Sequence, residues 1–276
     1  MSTENSNFLN NSGVVYVATK EDRYVEEAFL SADSIKKRCP AVPITLFTDR
    51  PHNPVCRMGC FDQIEVIESV VGLASAWSEG QLNRLRSLCR TPYKCTLHLD
   101  TDTRVVTNQL PSLFEILDTA DIAMVETALD DSYSRLHYGR RMFNAGFILY
   151  RQNEKTSAWL EAWTELTEYY FRIACETSLP QIPSLDHVKD ENIRRRLLCM
   201  DQISLVELLS PETNRFGLST KTLDQSWNYR GSRLPQNVRE AVKILHLPRN
   251  KVTSHGLDLR VAMERFSSTA AIPAYA

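Results

Sequence analysis

Residues Arg84–Asp102 read RLRSLCRTPYKCTLHLDTD. The segment leads from a helical stripe into a strand, and the strand ends on two carboxylates. Leu85 and Leu88, with Leu82 just before them, recur three residues apart, which predicts a helix over 81–90. Cys95–Leu99 is a short apolar run of strand character that passes directly into Asp100-Thr101-Asp102. In open parallel α/β sheets, ligands bind beyond the carboxyl ends of the strands. Two carboxylates one residue apart repel unless a cation neutralises them. A hard divalent ion, with phosphate oxygens on its far side, is the natural partner. The 15 aspartates in 276 residues give about one chance Asp-x-Asp, so the spacing alone carries little weight. Position raises it: the pair follows an apolar strand, whereas a solvated acidic turn would follow a polar loop.

The flanking sequence supplies the rest of an α/β chain. Val14–Thr19 is an apolar, β-rich run of the kind buried on both faces. Residues 22–37 carry Tyr24, Val25, Ala28, Phe29, Ala32 and Ile35 at helical spacing, closed by Cys39-Pro40. Pro43–Asp49 and Gln63–Ile67 are two further strands. Strand, helix, strand, repeated, is the rhythm of a mostly parallel sheet flanked by helices. Downstream, Asp121–Glu126 and Gly146–Tyr150 read as strands around a polar, aromatic loop at 127–143. Residues 156–175 form an amphipathic helix whose Trp159/Trp163 stripe is core packing. A polar loop at 178–192 precedes a helix at 201–209, a late strand at Lys243–Leu247 and a small helix near 257–266. Arg194-Arg195-Arg196 reads as a solvated face. Without repeats or linkers, the expectation is a frayed 1–13 followed by one domain over 14–276. Its nucleotide half is 14–102, its acceptor and metal half 103–251, and its tail 252–276.

Composition excludes several classes. At 43% hydrophobic and 24% charged, the chain is neither disordered nor low-complexity. Its 32 basic and 34 acidic side chains leave a net charge of -2, which argues against nucleic-acid binding by bulk charge. Seven irregularly spaced cysteines, with no second pair to complete a zinc site beside Cys56 and Cys60, predict reduced thiols. The polar N-terminus lacks the pattern of a signal peptide, and no run approaches the length of a bilayer span. The expected compartment is cytoplasmic, including the cytosolic face of a membrane.

Arg84–Asp102 resembles the Asp-x-Asp segment of GT-A glycosyltransferases, in particular glycosyltransferase family 8, the glycogenin-like group. Further pieces stand in the family's order. Val17-Ala18-Thr19 closes the first strand, Arg84 precedes Asp100 by sixteen residues, Asn144-Ala145-Gly146 matches the Asn-(Ala/Ser)-Gly turn, Asp201-Gln202 opens a helix, and His246 follows a late strand. The chain departs from the family's terminal His-x-x-Gly-x-x-Lys-Pro-Trp, for His246 is followed by Leu247-Pro248-Arg249-Asn250-Lys251. The resemblance implies a metal-dependent hexosyltransferase of GT-A fold that uses a nucleotide-diphosphate sugar, a UDP-sugar by family habit, and retains anomeric configuration. Its acceptor is a hydroxyl of unidentified class.

Roles for individual residues follow from that resemblance and from their chemistry. Asp100, Asp102 and His246 would ligate a divalent ion, and mixed carboxylate and imidazole ligation suits Mn²⁺ better than Mg²⁺. Val17, Ala18, Thr19 and Thr101 would border the nucleotide, and Asp49 would contact the nucleoside. Arg84 offers a planar fork for diphosphate or for sugar and ribose hydroxyls. Arg249 or Lys251 would meet the charge that develops on the diphosphate. Asn144, Asp201 and Gln202 are candidate catalytic arms toward the donor sugar, although an Asp at a helix start also serves as an N-cap. Gly146 would admit close approach of backbone to sugar. Arg140 and Arg141 are candidates for the acceptor side, and Trp227-Asn228-Tyr229 for the lining near His246. Two alternatives compete: a non-catalytic nucleotide-sugar-binding or scaffold protein of the same fold, and a sugar-nucleotide pyrophosphorylase. The latter would need a Gly-rich basic loop where Ala18–Arg23 has no glycine.

Overall fold

The computed structural model describes residues 11–73, 75–127, 137–139, 141–210, 214–230 and 242–247. Arg140, Arg249, Lys251, the helix expected near 257–266 and most of the 127–143 loop lie outside the described residues.

The strands are β1 (Ser12–Ala18), β2 (Ile44–Thr48), β3 (Gln63–Val66), β4 (Cys95–Leu99), β5 (Thr103–Val105), β6 (Ile122–Glu126), β7 (Phe143–Arg151), β8 (Thr220–Leu223) and β9 (Ile244–His246). The main helices are α1 (Asp22–Lys36), α2 (Ala76–Leu88), α3 (Glu154–Ile173), α4 (Glu191–Leu198) and α5 (Asp201–Leu209). Seven strands form one sheet in the order β3-β2-β1-β4-β7-β6-β8, and β5 pairs with β9 in a separate ribbon. The mixed α/β expectation therefore holds. Strand β3 lies at the sheet edge, and Gln63 and Val66 are exposed there, whereas β2 and β4 are buried along their whole length. Contacts divide the chain into two compact units. One comprises Met1–Glu68, Leu97–Glu115 and Ser226–Ala276; the other comprises Ser69–Thr96 and Ile116–Gln225.

In the first unit, β1 pairs parallel to β2, and β2 parallel to β3. Helix α1 packs against both β1 and β5, and buried hydroxyls fix that contact. Thr103 Oγ1 donates to the Asp100 carbonyl at 2.8 Å. Ser31 Oγ then donates to Thr103 at 2.7 Å, and the Tyr16 hydroxyl to Ser31 at 2.7 Å. Burial holds the Tyr16 phenol well above its usual pKa, so it remains a donor. Ser34 Oγ accepts from the Val105 amide at 2.8 Å. Each such bond contributes about 1 kcal/mol. Their joint effect is to pin the turn after β4, and with it the two aspartates.

In the second unit, β6 runs antiparallel to β7, with an irregularity between Met124 and Glu126, and parallel to β8. Helix α3 starts in a capping box between Asn153 and Thr156. Trp159 and Trp163 are fully buried and stacked 5.3 Å apart, as core residues. Helices α2 and α5 pack on α3, and α5 also packs on β7.

Helix α4 corrects the expectation that Arg194-Arg195-Arg196 forms only a solvated face. Arg195 donates to Glu191 and to the carbonyls of Ala174, Glu176 and Thr177. It closes the C-terminus of α3, where carbonyls lack helical partners and a cation is favoured. Arg195→Ala is expected to lower stability by about 1 kcal/mol, read as a shift in the thermal or urea midpoint. An unchanged midpoint would show that solvent replaces those bonds without loss.

None of the seven cysteines, all described, forms a disulfide, and burial pushes the Cys60 thiol up to about 12, which keeps it unreactive near neutrality. No helix among the described residues is long and apolar enough to cross a membrane.

Candidate functional site

The two aspartates stand where the strand-end argument places them, directly after β4. Their position depends on backbone pairing with the late strand. β5 and β9 are antiparallel, with Thr103 opposite His246 and Val105 opposite Ile244. The Leu247 amide donates to the Asp102 carbonyl at 2.8 Å, and the Val106 amide to the Lys243 carbonyl at 2.8 Å. This register sets His246 beside the pair. Its Nε2 lies 3.1 Å from Asp102 Oδ1 and 3.7 Å from Asp100 Oδ2. One ligand atom from each of the three residues falls within 4.8 Å of the others.

The donor set fits a divalent cation. It offers two carboxylates and an imidazole nitrogen, and the imidazole is only 3% exposed. His98, also buried, approaches Asp100 from the strand, with Nε2 3.7 Å from Oδ1, while its Nδ1 lies 3.2 Å from the Val15 carbonyl. Thr101 between the aspartates donates to Glu27 Oε2 at 3.0 Å. The turn is thus tied to α1 from two sides.

The end of β1 has its own geometry. Lys20 adopts a positive φ of 77°, unfavourable for a residue with a Cβ. Asp49 compensates, for both of its carboxylate oxygens accept from the Lys20 amide, at 3.1 and 3.2 Å. Arg50 Nη2 donates to the Lys20 carbonyl. Asp49 therefore shapes the backbone that follows Val17, Ala18 and Thr19.

In the second unit, Arg84 of α2 and Asp201 form a close ion pair, with side chains 12% and 3% exposed. Asp201 is the first residue of α5, and its carboxylate turns to Arg84. The rest of Asp201 is held as well. Its amide donates to Gln81 Oε1 at 3.0 Å, and its carbonyl accepts from Trp163 Nε1 at 2.9 Å. Asn144 is buried in β7, where its Oδ1 accepts from the Gly146 amide at 2.9 Å. Gln202 follows Asp201 on α5 and is partly buried. Arg141 reaches Glu126 at 2.7 Å and Thr222 at 3.0 Å, and it lies over the Phe143 ring.

In the sequence, Asn228 stands out only as part of a stretch near His246. Its contact is specific: Asn228 Oδ1 lies 2.9 Å from His246 Nδ1. Position just ahead of the late strand was the signal available. The chain also carries a buried ion pair, Arg84 with Asp201, whose members had been assigned separate roles.

The architecture matches the GT-A fold of solved glycosyltransferases. Among solved structures, the chain is similar to the glycosyltransferase GlyE of Streptococcus pneumoniae TIGR4, with a TM-score of 0.58 and 15% identity over 94% of this chain. The chain spans 64% of the length of GlyE. It is also similar to the galactosyltransferase LgtC, solved with donor and acceptor sugar analogs, with a TM-score of 0.54 and 15% identity over 96% of this chain and 97% of LgtC. No protein-family model matches the chain, and no curated protein is similar to it in sequence.

Proposed function

We propose that this chain is a metal-dependent glycosyltransferase that moves a hexose from a nucleotide-diphosphate sugar to a hydroxyl acceptor, with retention of configuration. One observation carries the reading: Asp100, Asp102 and His246 gather at the end of β4 in a GT-A fold. These three residues would hold Mn²⁺ or Mg²⁺, with Mn²⁺ better suited to the mixed donor set. A bound divalent ion supplies Lewis-acid stabilisation of the departing diphosphate.

The chain's own residues do the remaining work. Val17, Ala18 and Thr19 border the nucleoside at the end of β1, with Asp49 holding the adjoining backbone. Thr101 sets the turn that presents the two carboxylates. Arg249 or Lys251 adds fixed positive charge as negative charge builds on the leaving diphosphate. Arg84 orients Asp201, and Asn144, Asp201 and Gln202 are the polar arms for donor-sugar hydroxyls. Gly146 leaves room for the sugar. Donor identity follows family habit, a UDP-sugar, and the similarity to a galactosyltransferase makes UDP-galactose the first to screen.

The test is donor binding and hydrolysis. With Mn²⁺ present, UDP is expected to bind in calorimetry. Chelation by EDTA should weaken that binding by at least about tenfold, equivalent to about 1.4 kcal/mol. UDP-sugar hydrolysis should stop on chelation. UDP binding without donor turnover would identify the scaffold alternative, and no UDP binding in the presence of Mn²⁺ would overturn both readings.

A further inference from the structure

A histidine can ligate a metal only through a nitrogen that bears no hydrogen, and the other ring nitrogen decides which one that is. In His246, Nδ1 faces the carbonyl oxygen of the Asn228 side chain at 2.9 Å. A carbonyl oxygen only accepts, so Nδ1 carries the hydrogen. With Nδ1 so occupied, Nε2, the atom 3.1 Å from Asp102 and 3.7 Å from Asp100, is the nitrogen left to give its lone pair to a cation. Both side chains are buried, His246 at 3% and Asn228 at 5% exposure, so water does not readily substitute for the contact.

The backbone holds Asn228 against the ring. Its segment is joined to β9 on both sides of the amide. The Lys243 amide donates to the Ser226 carbonyl at 2.8 Å, the Tyr229 amide to the Ile244 carbonyl at 2.9 Å, and the His246 amide to the Tyr229 carbonyl at 2.9 Å. Lys243 Nζ lies over the Trp227 ring, 4.6 Å from its centre, and adds a further clamp. The amide is therefore fixed by the same ladder that fixes the histidine.

From this geometry we propose that Asn228 is a positioning residue that locks His246 in the Nδ1–H tautomer and so presents Nε2 as a ligand to the cation. The proposal rests on the metal reading of the Asp100, Asp102 and His246 group. In such partnerships, loss of the outer hydrogen bond lowers metal affinity by about ten- to a hundredfold. Asn228→Leu removes the acceptor at similar volume. Asn228→Asp keeps an acceptor oxygen in place.

Two measurements on the full chain test it. Mn²⁺ affinity, read by paramagnetic resonance of the free ion, is expected to fall about ten- to a hundredfold in Asn228→Leu and to be retained in Asn228→Asp. Nitrogen-15 spectra of histidine-labelled, metal-free protein at mildly alkaline pH, with His246 assigned by His246→Gln, are expected to show hydrogen on Nδ1. Failure of the wild-type protein to bind Mn²⁺ overturns the metal reading and the proposal with it. If the wild type binds, equal affinity in a folded Asn228→Leu variant, or an Nδ1 without hydrogen in the wild type, overturns this proposal alone. Should Asn228→Leu fail to fold, loss of affinity in a folded Asn228→Asp variant, or an Nδ1 without hydrogen in the wild type, overturns it equally.

Discussion

Asp102→Asn is expected to reduce donor turnover by about a thousandfold, equivalent to about 4 kcal/mol of lost transition-state stabilisation. The substitution keeps the volume and shape of the side chain and removes its charge. It also spares the backbone bond that sets the register, because the Leu247 amide donates to the carbonyl of residue 102 and not to its side chain. A loss of turnover therefore cannot be assigned to misfolding. A second readout separates metal binding from general damage. The ligand atoms of Asp100, Asp102 and His246 lie within 4.8 Å of one another. Two like charges at that separation repel by about 1 kcal/mol even in a strongly screened setting. Removing one of the two carboxylate charges should leave the metal-free protein as stable as the parent or more so. Stability held or raised with activity lost is the pattern of a site kept for function at a cost in stability. Raised Mn²⁺ should restore part of the lost rate. Unchanged turnover in Asp102→Asn would sink the metal assignment.

The ease of reading the sequence tracks how much of each element's environment is recorded in its own residues. β1, β2 and β4 are almost wholly buried, so each shows up as a run made mostly of apolar and β-branched residues. Cys95–Leu99 was read with the bounds that the structure has, and so was the helix at 201–209. Helix α2 was read from 81, but it begins at Ala76, capped by Ser75. Its first turn, Ala76–Gly80, carries none of the leucine stripe and gives no periodic signal. Helix α4 escaped entirely, because ENIRRRLL sets three arginines at its middle and the carbonyls that occupy Arg195 belong to the end of α3. β9 lies inside the late strand expected at Lys243–Leu247, whereas β5, three residues long, is too short for any pattern, and pairing across about 140 residues creates it. The site divides in the same way. Asp100 and Asp102 are legible because both lie on one strand end. Asn228's contact with His246, and that of Asp201 with Arg84, depend on pairing that no local stretch records.

Breaking the ion pair of Arg84 with Asp201 should be the most costly single change to stability among the candidate site residues. Removing one member leaves the other charge where only 12% or 3% of the side chain meets water. Losing one partner of a buried pair costs about 3 to 5 kcal/mol, because the uncompensated charge must stay desolvated or drag its surroundings open. Asp201→Asn is expected toward the lower end, since its amide still offers Arg84 an acceptor oxygen. Arg84→Met is expected toward the upper end, since it strands the more deeply buried carboxylate. Replacing both, as Arg84→Met with Asp201→Leu, should recover a large part of the loss. The backbone of Asp201 is separately held by Gln81 and Trp163, so α5 keeps its start. In a double-mutant cycle the coupling should therefore exceed about 2 kcal/mol, measured by urea unfolding. Single variants costing under about 1 kcal/mol would place the pair with weakly coupled surface bridges. The double variant also separates the two jobs proposed for Asp201. Where its carboxylate only holds the fold, the refitted pair should regain turnover along with stability. Where it serves the donor sugar, stability should return and kcat should not, because an apolar pair packs the space but offers the substrate no acceptor.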